Sequence, residues 1–199
     1  MKGKQVVLGH IGDAKVAALL EDGKLQDVLV EDLSRLPLGS ILRAVVDRPV
    51  KGIGGVMLRL PHGTGFLKKA KGLAPGQTIT VQTSGFAEAG KADPVNQRFI
   101  FKSRYAIVTP DQPGLNVSRQ IRDDDLRDDL TMLSKSGMEG SNMGLIIRSS
   151  AALADMEDVA EDIQTMRASA EAISVEAGLE PEVLLEGDDP HVQAWREWS

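Results

Sequence analysis

The sequence contains no cysteine and no long hydrophobic run. Without cysteine, disulfide bonds and thiolate metal sites are excluded, which suits the reducing cytoplasm. No apolar stretch is long enough to cross a bilayer, and the first residues lack the apolar core of a signal peptide. The chain of 199 residues can still bury a sizeable core in one large or two smaller domains. We therefore expect a cytoplasmic protein that does not enter membranes.

Charge is unevenly distributed along the chain, whose formal net charge is -6. Residues 33–105 carry twelve Lys or Arg against three Asp or Glu, a local balance of +9. Residues 111–199 carry seven against twenty, a local balance of -13. Such a split is typical of a basic binding segment attached to an acidic helical one. The basic segment is therefore where we expect a polyanion to bind.

Short strands dominate the first half of the sequence. Three are predicted at 4–8, 15–20 and 25–30, and the last two are joined by a hairpin at Asp22 and Gly23, which both tolerate positive φ. Short strands interrupted by glycine then predict a small OB-type barrel; they lie at 41–46, 55–60, 65–67 and 78–83. The predicted fold class is α+β, with this barrel inserted into an α/β assembly that has two main helices.

Basic side chains cluster in the barrel segment and would form its binding face. They are Arg43, Arg59, Lys68, Lys69 and Lys71. Phe66 lies among them and offers one aromatic ring on which a nucleic-acid base could stack. The alternative interpretation is a solubilising basic rim with Phe66 in the barrel core.

Helical periodicity replaces the strands in the second half. Residues 86–95 are predicted to form a connection and 97–109 a single strand with apolar residues at alternate positions. Helices are predicted at 124–136, 155–177 and 191–198, with a short strand at 183–185. Three aspartates, Asp123 to Asp125, start the first helix. We interpret them as capping residues, because the positive end of the helix dipole attracts carboxylates without any metal ion.

A short apolar strand at 143–147 delivers an arginine and two hydroxyl groups at its end. Arg148 offers a planar guanidinium, and Ser149 and Ser150 offer hydroxyl donors, which together would suit a phosphate dianion. The alternative is an ordinary arginine at a strand end, paired with one of the many nearby carboxylates.

Several motifs occur in the order seen in one family of bacterial endoribonucleases. They read GFL at 65–67, GK at 90–91, YAIVTP at 105–110, VSRQI at 117–121, DDD at 123–125 and MGLIIRS at 143–149. On these motifs the chain resembles the ribonuclease E/G family. The resemblance implies four parts: ribonuclease-H-like opening strands at 1–34, an OB-fold RNA-binding barrel at 35–85, a sensor of the RNA 5′ monophosphate at 86–178, and a return to the ribonuclease-H-like part at 179–199, left incomplete.

The resemblance also implies residues for the 5′ sensor. The phosphate-binding arginine and its neighbouring hydroxyl fall on Arg148 and Ser149, where serine replaces the familiar threonine. The apolar contact beside the first nucleotide falls on Ile107, and a basic position that supports the pocket falls on Arg119.

On the barrel, the resemblance assigns a base-stacking role to Phe66 and an RNA contact to Lys91. Met57 and Leu60 stand where better-known members carry aromatic residues. This departure implies weaker or differently selective binding of RNA.

Catalysis in the family uses two aspartates that hold Mg²⁺, and no matching segment occurs in this sequence. We therefore expect the chain to bind no metal and to be inactive alone, with Mg²⁺ required by the full enzyme. The resemblance implies a structural role for the early aspartates Asp13, Asp27 and Asp32.

Two functions follow as expectations. The first is single-stranded RNA binding and 5′-monophosphate sensing within an endoribonuclease of RNA processing or decay, with homo-oligomerisation left open. The second is a non-catalytic RNA-binding or protein-docking relative, in which the basic and acidic segments neutralise each other.

Overall fold

The structure is a computed structural model that describes residues 3–50, 52, 54–88, 90–175 and 177–198. The chain divides into two compact units. One consists of residues 98–177, and the other combines the residues before 98 with those from 178 onwards.

The described residues form thirteen strands and three α-helices. The strands are β1 (Lys4–Ile11), β2 (Ala14–Glu21), β3 (Lys24–Val30), β4 (Ile41–Val50), β5 (Gly55–Leu60), β6 (Gly63–Lys68), β7 (Thr78–Thr83), β8 (Asp93–Asn96), β9 (Phe101–Lys102), β10 (Ala106–Thr109), β11 (Leu115–Val117), β12 (Gly144–Ile147) and β13 (Glu182–Leu185). The helices are α1 (Asp124–Gly137), α2 (Met156–Ser174) and α3 (Pro190–Trp198). Within these described segments, no helix combines the length and the apolar character that crossing a membrane requires.

The predicted opening sheet is present as the antiparallel sheet β1-β2-β3. Its second hairpin turns at Asp22 and Gly23, whose φ angles of 50° and 76° confirm the predicted turn. Helix α3 packs on this sheet, where Trp198 and Ala194 contact Ala17. The opening sheet thereby covers Trp198, an apolar residue of this last helix.

A polar contact also fixes the start of α3 against the opening sheet. Asp189 accepts hydrogen bonds from the backbone N–H groups of His191 and Val192 and from the ammonium group of Lys15. Burial of Asp189 opposes its ionisation, but the hydrogen bonds from Lys15, Val192 and His191 outweigh this effect and hold the pKa of the carboxyl below its ordinary value. The carboxylate therefore serves as both helix cap and ion-pair partner.

A closed five-stranded barrel follows, which confirms the predicted α+β fold with an OB-type barrel. Strands β4, β5, β6, β8 and β7 pair in that order, and the β4–β7 pairing closes the cylinder. The interior is filled by aliphatic side chains: Leu42, Ala44, Val46, Val56, Leu58, Leu60, Leu67, Ile79, Val81 and Val95. Strand β13 adds to the outside of β4.

One barrel strand was not predicted from the sequence. Strand β8 pairs with both β6 and β7, although residues 86–95 read as a connection. The sequence pattern that indicates a strand is weak here, because β8 is short, contains Pro94 and buries a single large side chain, Val95. The barrel therefore extends to Asn96, beyond the boundary at residue 85 that the resemblance implied.

The second unit is a four-stranded sheet with two helices on one face. The strand order is β11-β12-β10-β9, with β11 parallel to β12 and the other neighbours antiparallel. Helices α1 and α2 pack against these strands, over fully buried side chains such as Val108, Leu145 and Ile163. Both helices were predicted from their periodicity.

At the start of α1 the Asp123 carboxylate accepts a hydrogen bond from the Leu126 N–H at 3.0 Å, which confirms the capping interpretation.

The prediction of one strand over 97–109 is wrong. The chain reverses between β9 and β10, so that Phe101 lies opposite Val108 and Lys102 opposite Ile107. Apolar residues recur at alternate positions on both sides of the reversal, and their spacing therefore imitated one continuous strand.

Gly144 begins the strand that carries Arg148, and it lies against the preceding loop. A Cβ at this position would lie 1.9 Å from the Gln112 carbonyl oxygen and 2.5 Å from the Thr109 hydroxyl oxygen. The Thr109 hydroxyl donates a hydrogen bond to the Gln112 carbonyl oxygen at 2.9 Å. Neither group can therefore move away from Gly144 without weakening that hydrogen bond. Only glycine fits at the start of β12.

We therefore expect Gly144→Ala to lower the free energy of unfolding by about 2–3 kcal/mol, since the backbone has to shift to admit a methyl group. Denaturant unfolding measures the change. Gly9→Ala is the matched control, because a Cβ at Gly9 would meet no atom within 4 Å. Equal stability of the two variants would contradict the close approach.

Candidate nucleic-acid interface

The four-stranded sheet presents one face to its helices and the other to solvent. On the solvent-facing side, Ile107 lies directly opposite Ile146, and Ile146 is 37% exposed. The Arg148 N–H donates to the Tyr105 carbonyl at 2.8 Å and so extends the β10–β12 ladder by one residue. Because side chains alternate along a strand, Arg148 shares the face of Ile146. Ile107 and Ile146 thus form an apolar floor on the open surface, and the Arg148 guanidinium lies next to it.

The Arg148 guanidinium is oriented by the turn between β9 and β10. Its Nη1 donates to the Ser103 carbonyl oxygen at 2.5 Å. A carbonyl carries no net charge, so this bond directs the guanidinium without neutralising it. The side chain is half-buried, and a guanidinium has five N–H donors in a fixed plane.

Asp162 on α2 holds that turn in place. Its Oδ2 accepts hydrogen bonds from the Ser103 hydroxyl at 2.5 Å and from the Tyr105 N–H at 2.9 Å. Asp162 therefore positions the carbonyl that in turn positions Arg148. Sequence reasoning missed this residue, because a single aspartate in an acidic amphipathic helix carries no signal that separates it from a solvent-facing one.

The two serines after Arg148 have different surroundings. Both lie in a short 3₁₀ helix, Ser149–Leu153. The Ser150 hydroxyl donates to the Arg104 carbonyl and thus fastens this segment to the β9–β10 turn. Ser149 is exposed beside Arg148. Of the two hydroxyl groups that the sequence offered for a phosphate, the exposed one is Ser149.

Arg119 lies at the edge of the same sheet. The residue before it, Ser118, donates its N–H to the Ile147 carbonyl at 2.9 Å, so the chain runs beside the end of β12. The Arg119 side chain is exposed. The loop itself is held by Arg127, whose Nη1 donates to the carbonyl oxygens of Ser118 and Ile121 at 2.8 and 2.9 Å. The structure thus places Ile107 and Arg148 on the open face of the sheet, and it places Ser149 and the loop that carries Arg119 next to the end of β12.

On the barrel, the strand register places Phe66 on the outside. Phe66 lies opposite Met57 on β5 and opposite Pro94 on β8, whereas its neighbour Leu67 points into the core. The ring is half-buried because it covers Gly55, where a Cβ would lie 2.7 Å from two of its carbon atoms. Phe66 is therefore an outward aromatic on the barrel wall and not a core residue.

Basic side chains surround this aromatic. Arg59 follows Met57 by two residues and Lys68 follows Phe66 by two residues, so each shares the outward face, and both are exposed. Lys69 and Lys71 are exposed in the loop that follows β6. Among the residues that the structure describes, none of these four side chains forms an ion pair.

Arg43, Leu60 and Lys91 differ in their surroundings from the exposed basic residues around Phe66. Arg43 is only 6% exposed and pairs with Glu182 at 2.5 Å, because β13 aligns Glu182 directly opposite it. It therefore does not belong to the exposed surface. Leu60 lies in the barrel core. Lys91 is exposed, but its ammonium group pairs with the Glu88 carboxylate at 2.8 Å.

The carboxylates of the described residues form no cluster of metal ligands. No group of three or more His, Asp or Glu side chains there could hold a metal ion. Asp123 acts as a helix cap and Asp32 accepts hydrogen bonds from the Ser34 N–H and hydroxyl. The residues described thus do not fit a Mg²⁺ site.

Comparison with known proteins finds one matching family and relatives within it. The model of the ribonuclease E/G family matches residues 101–199. Ribonuclease E of Nostoc sp. (strain PCC 7120) is 26% identical over 208 aligned residues, covering 96% of this chain and 30% of that protein. Ribonuclease E of Synechocystis sp. (strain PCC 6803) is 23% identical over the same shares. The chain thus spans less than a third of the length of these relatives.

We expect Asp162→Ala to lower the free energy of unfolding by about 1–3 kcal/mol, since the Tyr105 N–H loses its acceptor in a half-buried turn. Chemical denaturation measures this change. Glu161→Ala is the control, because the neighbouring Glu161 is exposed on the same helix and its removal should cost less than about 0.5 kcal/mol. An Asp162 variant as stable as the Glu161 variant would mean that the carboxylate does not hold the turn.

Proposed function

Because the chain belongs to the ribonuclease E/G family, a family of RNA-processing endoribonucleases, we propose that it binds single-stranded RNA and recognises a 5′ monophosphate. The observation that carries this proposal is the shared open face of Arg148, Ile107 and Ile146. A terminal nucleotide joins a flat, largely apolar base to a charged phosphate. The sheet offers an apolar floor for the first and a guanidinium for the second.

Electrostatics favours a terminal monophosphate over an internal phosphodiester at such a site. A terminal monophosphate carries up to two negative charges and exposes three oxygen atoms, whereas a phosphodiester carries one charge. Arginine can meet two of those oxygens with parallel N–H donors, and such charge-assisted hydrogen bonds are about twice as strong as neutral ones. Ser149 supplies an exposed hydroxyl next to the guanidinium. The proposed site therefore discriminates by charge and by donor geometry.

The barrel supplies the second element of the proposal. Phe66 and Met57 form an outward platform, with Lys68 and Arg59 adjacent on the same face. Stacking of bases on an aromatic ring tolerates any sequence, and neighbouring cations make binding depend on salt. We propose that this surface holds the single strand without selecting its sequence.

Cleavage is proposed to lie outside these residues. Since the described carboxylates do not form a metal site, the Mg²⁺ expected for the family would be bound by residues beyond those described. In this proposal the present chain contributes recognition of the RNA and no step of the hydrolysis.

A protein-docking function is the second candidate, and one observation favours it. The Arg43–Glu182 ion pair joins the basic barrel to the acidic C-terminal segment, as that function requires. The remaining cations of the barrel face are exposed, however, and they include Lys68, Lys69 and Lys71. We therefore favour the RNA-binding function.

We expect Arg148→Ala to abolish the preference for 5′-monophosphorylated over 5′-hydroxyl RNA, a loss of about tenfold or more, because a charge-assisted hydrogen bond contributes about 1.5–3 kcal/mol. Fluorescence anisotropy with paired oligonucleotides measures the preference. Lys135→Ala is the control, since it removes one positive charge from an exposed position on α1. If the unmodified chain binds both RNAs equally, the sensing function is wrong.

We expect Phe66→Leu to weaken binding of single-stranded RNA about fivefold or more, because leucine still covers Gly55 but cannot stack on a base.

Lys68→Gln should instead reduce the salt dependence of RNA binding, lowering the slope of log affinity against log salt by about one. Titrations at several salt concentrations separate the two effects. Unchanged affinity in both variants would exclude this barrel face as the binding surface.

A further inference from the structure

Asn116 lies on the open face of the sheet, in register with Ile146 and Ile107, the two residues of the apolar floor. The parallel pairing of β11 with β12 sets Asn116 opposite Ile146, and Ile146 in turn lies opposite Ile107. Neighbouring strands are about 4.8 Å apart, so Asn116 is one strand from Ile146 and two strands from Ile107. The side chain at the edge of the floor is therefore a polar amide.

The Asn116 side chain is exposed and available to a ligand. Its Nδ2 lies 3.8 Å from the position that a Cβ would take on Gly114, so the amide group lies near the start of β11. Among the residues that the structure describes, none forms a hydrogen bond with this amide. Within this described part of the chain, its donor and its acceptor are both unused. Strand β11 is the edge strand of its sheet, so no other strand of the described residues pairs with it on its outer side.

We propose that Asn116 reads the edge of the 5′-terminal base, and this inference rests on the proposed sensing function. Arg148 follows Ile146 by two residues, which places them about 6.6 Å apart along the strand. A nucleotide whose phosphate binds Arg148 therefore lays its base over Ile146 and Ile107. The base edge then points across the strands, toward Asn116.

The amide is complementary to the Hoogsteen edge of adenine. An asparagine side chain presents one N–H donor and one carbonyl acceptor side by side, and this pair matches the N7 acceptor and N6 donor of adenine. Bases of single-stranded RNA are commonly read in this way, by hydrogen bonds to an exposed edge together with contacts to the base face. Asn116 thus adds a preference for the identity of the first nucleotide to a site that otherwise recognises charge.

The test uses four short 5′-monophosphorylated RNAs that differ only in the first base, together with their 5′-hydroxyl counterparts. We expect the unmodified chain to bind the adenine-initiated monophosphate about fivefold or more tightly than the other three. Asn116→Ala should equalise the four affinities while the preference for monophosphate over hydroxyl remains. Asn116→Asp should move the preference to cytosine, whose N4 amino group donates to a carboxylate.

Asn142→Ala is the matched control, since Asn142 is exposed in the same unit but precedes β12, and it should retain the adenine preference. If the monophosphate is preferred but the first base has no effect, the role of Asn116 is overturned and the sensing function stands. If no RNA shows a monophosphate preference, the sensing function itself has failed. A base preference that survives Asn116→Ala would place the reading group elsewhere and would also overturn the inference.

Discussion

The second unit depends on one carboxylate that organises a turn of the backbone. Asp162 accepts hydrogen bonds from the Ser103 hydroxyl and the Tyr105 N–H, and the Ser103 carbonyl then accepts one from Arg148. The Asp162 carboxylate thereby binds the turn, and a backbone carbonyl oxygen of the same turn binds the guanidinium. In that contact the arginine is oriented by a neutral oxygen. A carboxylate in the position of this carbonyl would give the same orientation but would compete with an anionic ligand.

Local patterns in the sequence predicted the elements that local physics determines. The Asp22–Gly23 turn, the Asp123 cap and the strand that precedes Arg148 each depend on residues within a few positions of each other. The α+β class and the barrel follow in the same way, since glycine at corners and alternation along strands are short-range signals. These features could be predicted because the residues that determine them are neighbours in the chain.

What could not be predicted depends on pairings between distant residues. Arg43 looked like one basic residue among several, and it is buried only because β13 brings Glu182 opposite it from the far end of the sequence. Strand β8 is defined by its two partners and not by its own four residues. Asp162 gains its role from a turn whose Ser103 lies 59 residues earlier in the chain. In each case the missing information is a register or a contact that no local pattern contains.

The two proposed recognition surfaces use the same geometric device. On β12, Ile146 precedes Arg148 by two residues, and on β6, Phe66 precedes Lys68 by two residues. Alternation sets each apolar side chain and its cation on one face, about 6.6 Å apart along the strand. A nucleotide has the same two parts, a flat base and a phosphate, joined by a short sugar. A strand that pairs an apolar residue with a cation at this spacing can therefore contact both parts of one nucleotide. The proposed difference between the surfaces lies in the cation, which is a planar guanidinium suited to an exposed terminal phosphate at the end of β12 and a compact ammonium suited to any phosphate on β6.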